Sequence, residues 1–181
     1  MRLGWLVPLT LAVSAAGAQA QFAPNPTTYF AGPSGRTVLP LQRSIDNKLY
    51  LTVVVEGQPL NLFIDTGATS VLDLDVARRL GLVLTPSDDR AIGITGVGSA
   101  RQLTSVDLVL GKIEITDHQV SVVDLSALRE LYAAHDMPVF DGLIGAELLA
   151  VLRARVDFDK RVLEVRRPDR KTLESTGFAR R

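Results

Sequence analysis

The sequence predicts a mostly β protein, closed or sandwiched, in one domain over residues 37–167 with two or three short helices. Three observations carry this. β-Branched and aromatic runs such as "KLYLTVVV" and "KIEITDHQVSVV" recur at close spacing. Glycine-containing turns separate them, as Gly57 and Gly111 do. The helical patterns between them are short, and strands joined this way close or stack in pairs rather than form a parallel α/β sheet.

The chain's 181 residues are enough for one real core, and 46% hydrophobic with 22% charged residues is an ordinary globular balance. Lys plus Arg equals Asp plus Glu at 20 each, so no global field steers the protein toward nucleic acid. Residues 1–20 read as a secretory signal peptide: Arg2 is the basic start, "LGWLVPLTLAV" the apolar stretch, and "AQA" the cleavage site after Ala20. That stretch contains Pro8 and is short for a bilayer span, so no stable membrane anchor is expected. The chain has no cysteine, so an exported form holds itself together without disulfides. The expected location is secreted, in a bacterial periplasm.

The elements follow in order. Residues 21–36, "QFAPNPTTYFAGPSGR", hold three prolines and read as a flexible or extended arm. "TVLPLQ" is a short edge strand, since Pro40 excludes a central one. "KLYLTVVV", the turn "EGQP" and "LNLFI" form a hairpin that delivers Asp65 at its exit. "LDLDVARRLGL" is a short helix, capped by Asp73 or Asp75 and stopped by Gly81. "TPSDD" is a polar loop. Two strand-like runs then flank "GITGVGS", a hairpin whose tip holds Gly93, Gly96 and Gly98. After the strand "KIEITDHQVSVVDL" comes a helix in "SALRELYAAH" with Ser126 as its cap. "VFDGLIGAELLAVL" is an apolar run, a glycine and a helix, and "RARVDFDKRVLEVRR" is a closing hairpin. The tail, residues 168–181, is polar and expected to be loose.

"NLFIDTGATSVLDL" poses the chemical question. An apolar strand leads a carboxylate, Asp65, into a crowd of small residues: Thr66, Gly67, Ala68 and Thr69. An unpaired carboxylate is costly to bury. Either Asp65 caps a turn, as Asp before Gly often does, or its environment serves chemistry. Other sites fit poorly. The glycines around Gly96 lack the strand-to-helix setting of a phosphate loop. "DTGAT" lacks the lysine directly after the acid expected of a phosphoryl-accepting aspartate. His118 and His135, the two histidines, cannot form a three-histidine zinc site and read as surface residues. No GxSxG is present to mark a serine nucleophile.

"FIDTGAT" resembles the active-site loop of the pepsin–retropepsin clan of aspartic proteases. "IGITGVGSA", residues 92–100, resembles its glycine-rich flap. "DGLIGAELL", residues 141–149, resembles the segment that packs beside the catalytic loop, and "VDFDKRVLEV" the closing strands. Together these cover residues 37–167, and the likeness is to short, exported, bacterial retropepsin-like proteases. The resemblance implies a single-lobe β-barrel and an aspartic endopeptidase without cofactor or metal. Its catalytic residues would be Asp65, Thr66 and Gly67. Substrate backbone would lie on Ala68 and Thr69 and under Ile94, Gly96, Val97 and Gly98.

That chemistry needs two carboxylates sharing a proton. One Asp-Thr-Gly is present, and Asp141 lies in the supporting segment, so the resemblance implies a homodimer contributing Asp65 twice. The partners are then a peptide or protein substrate and a second copy. Two departures bear on this. Ala146 stands where retroviral enzymes carry an arginine that braces the dimer, and the C-terminus is charged rather than a short apolar strand. The alternative is a non-catalytic peptide-binding module on the same fold.

Overall fold

The computed structural model describes residues 28–91 and 99–176, with side chains described for 28–87 and 101–176. In chain order the elements are β1 (Tyr29–Ala31), β2 (Arg36–Pro40), β3 (Gln42–Arg43), β4 (Leu49–Val55), β5 (Gln58–Ile64), β6 (Val71–Asp73) and α1 (Leu74–Arg79). Then follow β7 (Thr85–Ala91), β8 (Ser99–Leu110), β9 (Ile113–Val123), α2 (Ser126–Ala134), β10 (Gly142–Ile144), α3 (Ala146–Val151), β11 (Arg155–Asp157), β12 (Val162–Arg166) and α4 (Arg170–Thr176).

The main sheet runs β1-β9-β6-β10-β5-β4-β8-β7, and β8 also pairs with β9. That pairing closes the strands from β9 through β6, β10, β5 and β4 to β8 into a barrel, as the sequence predicts. A second sheet, β11-β12-β2, lies beside it. β4 and β5 form the expected hairpin, with Glu56 at φ 48° and Gly57 at φ 74°. Two successive positive φ values give a turn whose twist matches its strands. The alternation of β4, buried at Leu51, Val53 and Val55, faces the barrel interior. There it meets Leu60, Leu110, Ile113, Ile115 and Leu148. A separate aromatic cluster of Tyr50, Phe63, Tyr132 and Phe140 seats α2 against the sheet.

Several local expectations change. The second half of the arm is β1, which pairs with β9 and buries Phe30. "TPSDD" belongs to β7, an edge strand whose pairing with β8 overrides its turn-like composition, and Pro86 is tolerated at an edge. The tail holds α4, with Thr172 buried and Leu173 packed on the core. The described residues therefore carry four helices. The cap of α2 falls on Leu125, and Asp124 Oδ1 accepts the Ser126 amide at 2.9 Å. Asp73 is confirmed as the cap of α1, and Gly81 follows that helix at φ 70°. The expected signal peptide and the expected glycine-rich tip lie outside the described residues.

Candidate active site

The loop from Asp65 to Ser70 joins β5 to β6, yet these strands are not neighbours. β10 lies between them, parallel to β5 with Ile144 opposite Ile64, and antiparallel to β6 with Gly142 opposite Leu72. The loop must cross the end of β10, and it is tied there at each step. Asp65 N donates to Ile144 O at 3.1 Å, and Ala146 N to Ala68 O at 2.8 Å. Gly145 N donates to Ser70 Oγ at 3.0 Å, and Ser70 N to Glu147 Oε1 at 2.9 Å. Ser121 N donates to Ser70 O at 3.0 Å. Gly145 is required by space rather than torsion: a Cβ there would fall on Thr69 C and Ser70 N.

Upstream, Phe63 anchors the approach. It is buried, stacks on Tyr50 and Phe140 at 5.0 and 4.6 Å, and meets Tyr132 edge-on at 5.6 Å. The strand's alternation then brings Asp65 to the rim, half-buried. Its Oδ1 accepts the Gly67 amide at 2.8 Å. The turn-capping role thus exists, but it occupies one oxygen. No Lys, Arg or His pairs with Asp65 among the described residues. Two other acids, at the ends of the strands that support the loop, differ. Asp73, 1% exposed, caps α1, accepts Leu125 N at 3.1 Å and pairs with Arg129 at 2.7 Å. Asp141, 6% exposed, accepts Asn61 N at 2.9 Å and faces Arg79 at 3.8 Å. Those two acids are tied into structure, whereas Asp65 keeps one oxygen available.

Of the residues proposed from sequence, Asp65, Thr66, Gly67, Ala68 and Thr69 share this loop. Thr66 and Gly67 are exposed, and Ala68 and Thr69 half-buried. Ile94, Gly96, Val97 and Gly98 lie outside the described residues. Beyond the loop, Leu72 turns into the core, while Val139 lines a cleft with Asp75, Arg129 and Met137 that includes no residue of the Asp65 loop. Sequence reasoning missed Ser70, Glu147 and His118. His118, expected at the surface, is 2% exposed and sits 3.6 Å from Glu147. Burial pushes the Glu147 carboxyl up, but the His118 imidazole and the Ser70 hydroxyl and amide outweigh it and hold Glu147 below the usual range.

An aspartyl protease family model matches residues 51–148, more than half of the chain and all of this site's supports, and the chain belongs to that family. Among particular relatives, it is 27% identical over 117 residues to DNA damage-inducible protein 1 of Phaeosphaeria nodorum, covering 64% of this chain and 24% of that protein. The chain thus spans about a quarter of that relative's length. It is similar to a solved retropepsin-like aspartic protease from Rickettsia conorii at 21% identity and TM-score 0.49, covering 75% of this chain and 93% of that one. EIAV protease in complex with the inhibitor HBY-793 aligns at 24% identity and TM-score 0.45, over 62% of this chain and 95% of that one.

Proposed function

We propose that the protein is an aspartic endopeptidase whose active form is a homodimer, with Asp65 of each copy meeting across a two-fold axis. The observation that carries this reading is Asp65 itself: presented at the rim by a braced loop, held by one backbone amide, and without a cation partner among the described residues. Two such carboxylates brought together cannot both ionise, so they share one proton. The ionised acid takes a proton from a water between them, and that water attacks the peptide carbonyl. The protonated acid donates to the carbonyl oxygen as it becomes tetrahedral, and a proton then passes to the leaving amine. The Gly67 amide keeps Asp65 oriented throughout. The location proposed is the periplasm, after cleavage of residues 1–20.

One observation favours the second reading, a monomeric module that holds a peptide without cutting it. β12 is paired on both edges within the chain, to β11 and to β2, so a partner strand must use another edge. Sedimentation of the mature chain, with peptidase assays on wild type and Asp65→Ala, separates the two. A concentration-dependent dimer whose activity vanishes in Asp65→Ala is expected. A strict monomer, or full activity in Asp65→Ala, overturns the proteolytic reading.

A further inference from the structure

Behind the loop, on the core side, lie two ionisable side chains that the proposed chemistry does not use. Glu147 stands in the first turn of α3, and its side chain is 9% exposed. His118 projects from β9 with its side chain 2% exposed. Their nearest approach, His118 Nε2 to Glu147 Oε1, is 3.6 Å, longer than a hydrogen bond. His118 Nδ1 and Nε2 and Glu147 Oε2 find no hydrogen-bond partner among the described residues. A small cavity is lined by His118, Ser70 and apolar residues, among them Val106, Leu108, Val120 and Leu148, and His118 is the one titratable group that faces it among the described residues. An apolar pair of similar size would fill this space with less cost to folding. A glutamate serving only the dipole of α3 could do so from solvent.

What the pair does that an apolar pair cannot is bond the loop. Glu147 Oε1 accepts the Ser70 amide at 2.9 Å, and Ser70 Oγ in turn accepts the Gly145 amide at 3.0 Å. We propose that His118 and Glu147 are positioning residues for the Asp65 loop: Glu147 fixes Ser70, and the buried His118 imidazole, 3.6 Å from Glu147 Oε1, keeps that carboxyl seated against the loop. This rests on the reading of that loop as catalytic. Three of the loop's other ties run from backbone to backbone and one ends on the Ser70 hydroxyl, so the Ser70 amide bond is the tie set by a carboxylate from outside the loop, five residues from Asp65.

The test compares the full chain with E147Q, E147L, H118Q and the double variant H118L/E147L. In E147Q an amide oxygen still accepts the Ser70 N–H, and kcat should stay within about threefold of wild type. In E147L kcat should fall about 10–100-fold with KM little changed, because a small misplacement of reacting groups costs that much. The double variant replaces both buried polar side chains with apolar ones, so its thermal midpoint should match or exceed wild type, while kcat stays as low as in E147L. Wild-type kcat in a folded double variant overturns the proposal. Amide hydrogen exchange at Ser70 gives a second readout, independent of activity. It should be about tenfold faster in the double variant than in wild type or E147Q, and faster also in H118Q. Exchange equal in every folded variant overturns the proposal. A wild-type chain without peptidase activity instead overturns the reading of Asp65, and the exchange comparison still decides whether the pair positions the loop. Should neither leucine variant fold, H118Q decides alone: unchanged Ser70 exchange refutes the role given to His118.

Discussion

Gly145→Ala is a one-methyl perturbation whose cost follows directly from the site. The added Cβ would overlap Thr69 C and Ser70 N and stand 2.5 Å from Glu147 Oε2. The glutamate can swing away, but the first two atoms are backbone, in a loop tied to β10 and α3 by four hydrogen bonds. The loop must therefore lift as a unit, and the cost should reach the upper end for overpacking, about 3 kcal/mol. For a chain of this size that lowers the melting temperature by about 6–12 °C. Gly67→Ala is the internal control. Its Cβ would meet only Asp65 Oδ1, at 3.4 Å, an ordinary contact, so it should shift stability by no more than about 0.5 kcal/mol. Thermal and urea unfolding of both variants, followed by circular dichroism, supply the comparison. If Gly145→Ala melts within about 2 °C of wild type, the loop is not packed against β10 as described.

Asp65→Asn should lose peptidase activity while unfolding within about 0.5 kcal/mol of wild type, because the amide oxygen still accepts Gly67 N–H; a peptide-cleavage assay alongside a melting curve checks both. The rate of the proposed dimer should be bell-shaped in pH and centred on the acid side, since activity needs one proton on the pair; a statine-type inhibitor should block it and a chelator should not. Glu147 is held below the ordinary glutamate value of 4.5, so its contribution to stability is present above that pH and is lost as pH falls below it. Urea midpoints measured from pH 6 to pH 3 should show that E147Q lacks this part of the acid-side loss, and identical slopes in both proteins would contradict it.

The barrel and the Asp65 loop were legible because local patterns carry them. The β4–β5 hairpin is written in alternation and a Glu-Gly turn, and the loop in a carboxylate followed by small residues. His118 was not legible, for a physical reason. From Ile113 and Ile115, strict alternation continues to Asp117 and sends His118 outward. In the structure Asp117 adopts φ 54°, and the register with β8 slips between Val106 and Leu108, so β9 spends an extra residue there. The phase flips, and His118, Val120 and Val122 all point inward. A bulge of this kind leaves almost no mark in sequence, since Asp tolerates positive φ yet is common everywhere. The first part of β7, "TPSDD", was missed for the opposite reason: its composition says turn, and its place in a strand paired to β8 exists only in the fold.

The bonds that hold the loop all come from one side. They run from 144–147 and from Ser121 to the loop's inner face. Thr66 is exposed, and its side chain makes no hydrogen bond among the described residues. Asp65 Oδ2 likewise has no protein partner there, while Asp73 and Asp141 have their carboxylates engaged. A loop that served only to turn the chain would need no such bracing, because the Asp65–Gly67 bond already completes the turn. Rigid on the inside and unengaged on the outside, it is suited to meet a second group at a fixed distance, which is what two acids sharing a proton demand. In the proposed dimer the second copy approaches without using β12, whose edges are both taken. The outer edges of β2 and β11 remain in the second sheet. β2 is the better candidate, because Val38 is 47% exposed there and Pro40, lacking an N–H, limits uncontrolled pairing at its end. Val38→Lys should therefore weaken self-association in sedimentation while leaving the monomer's melting temperature unchanged, and an unaffected dimer would move the interface elsewhere.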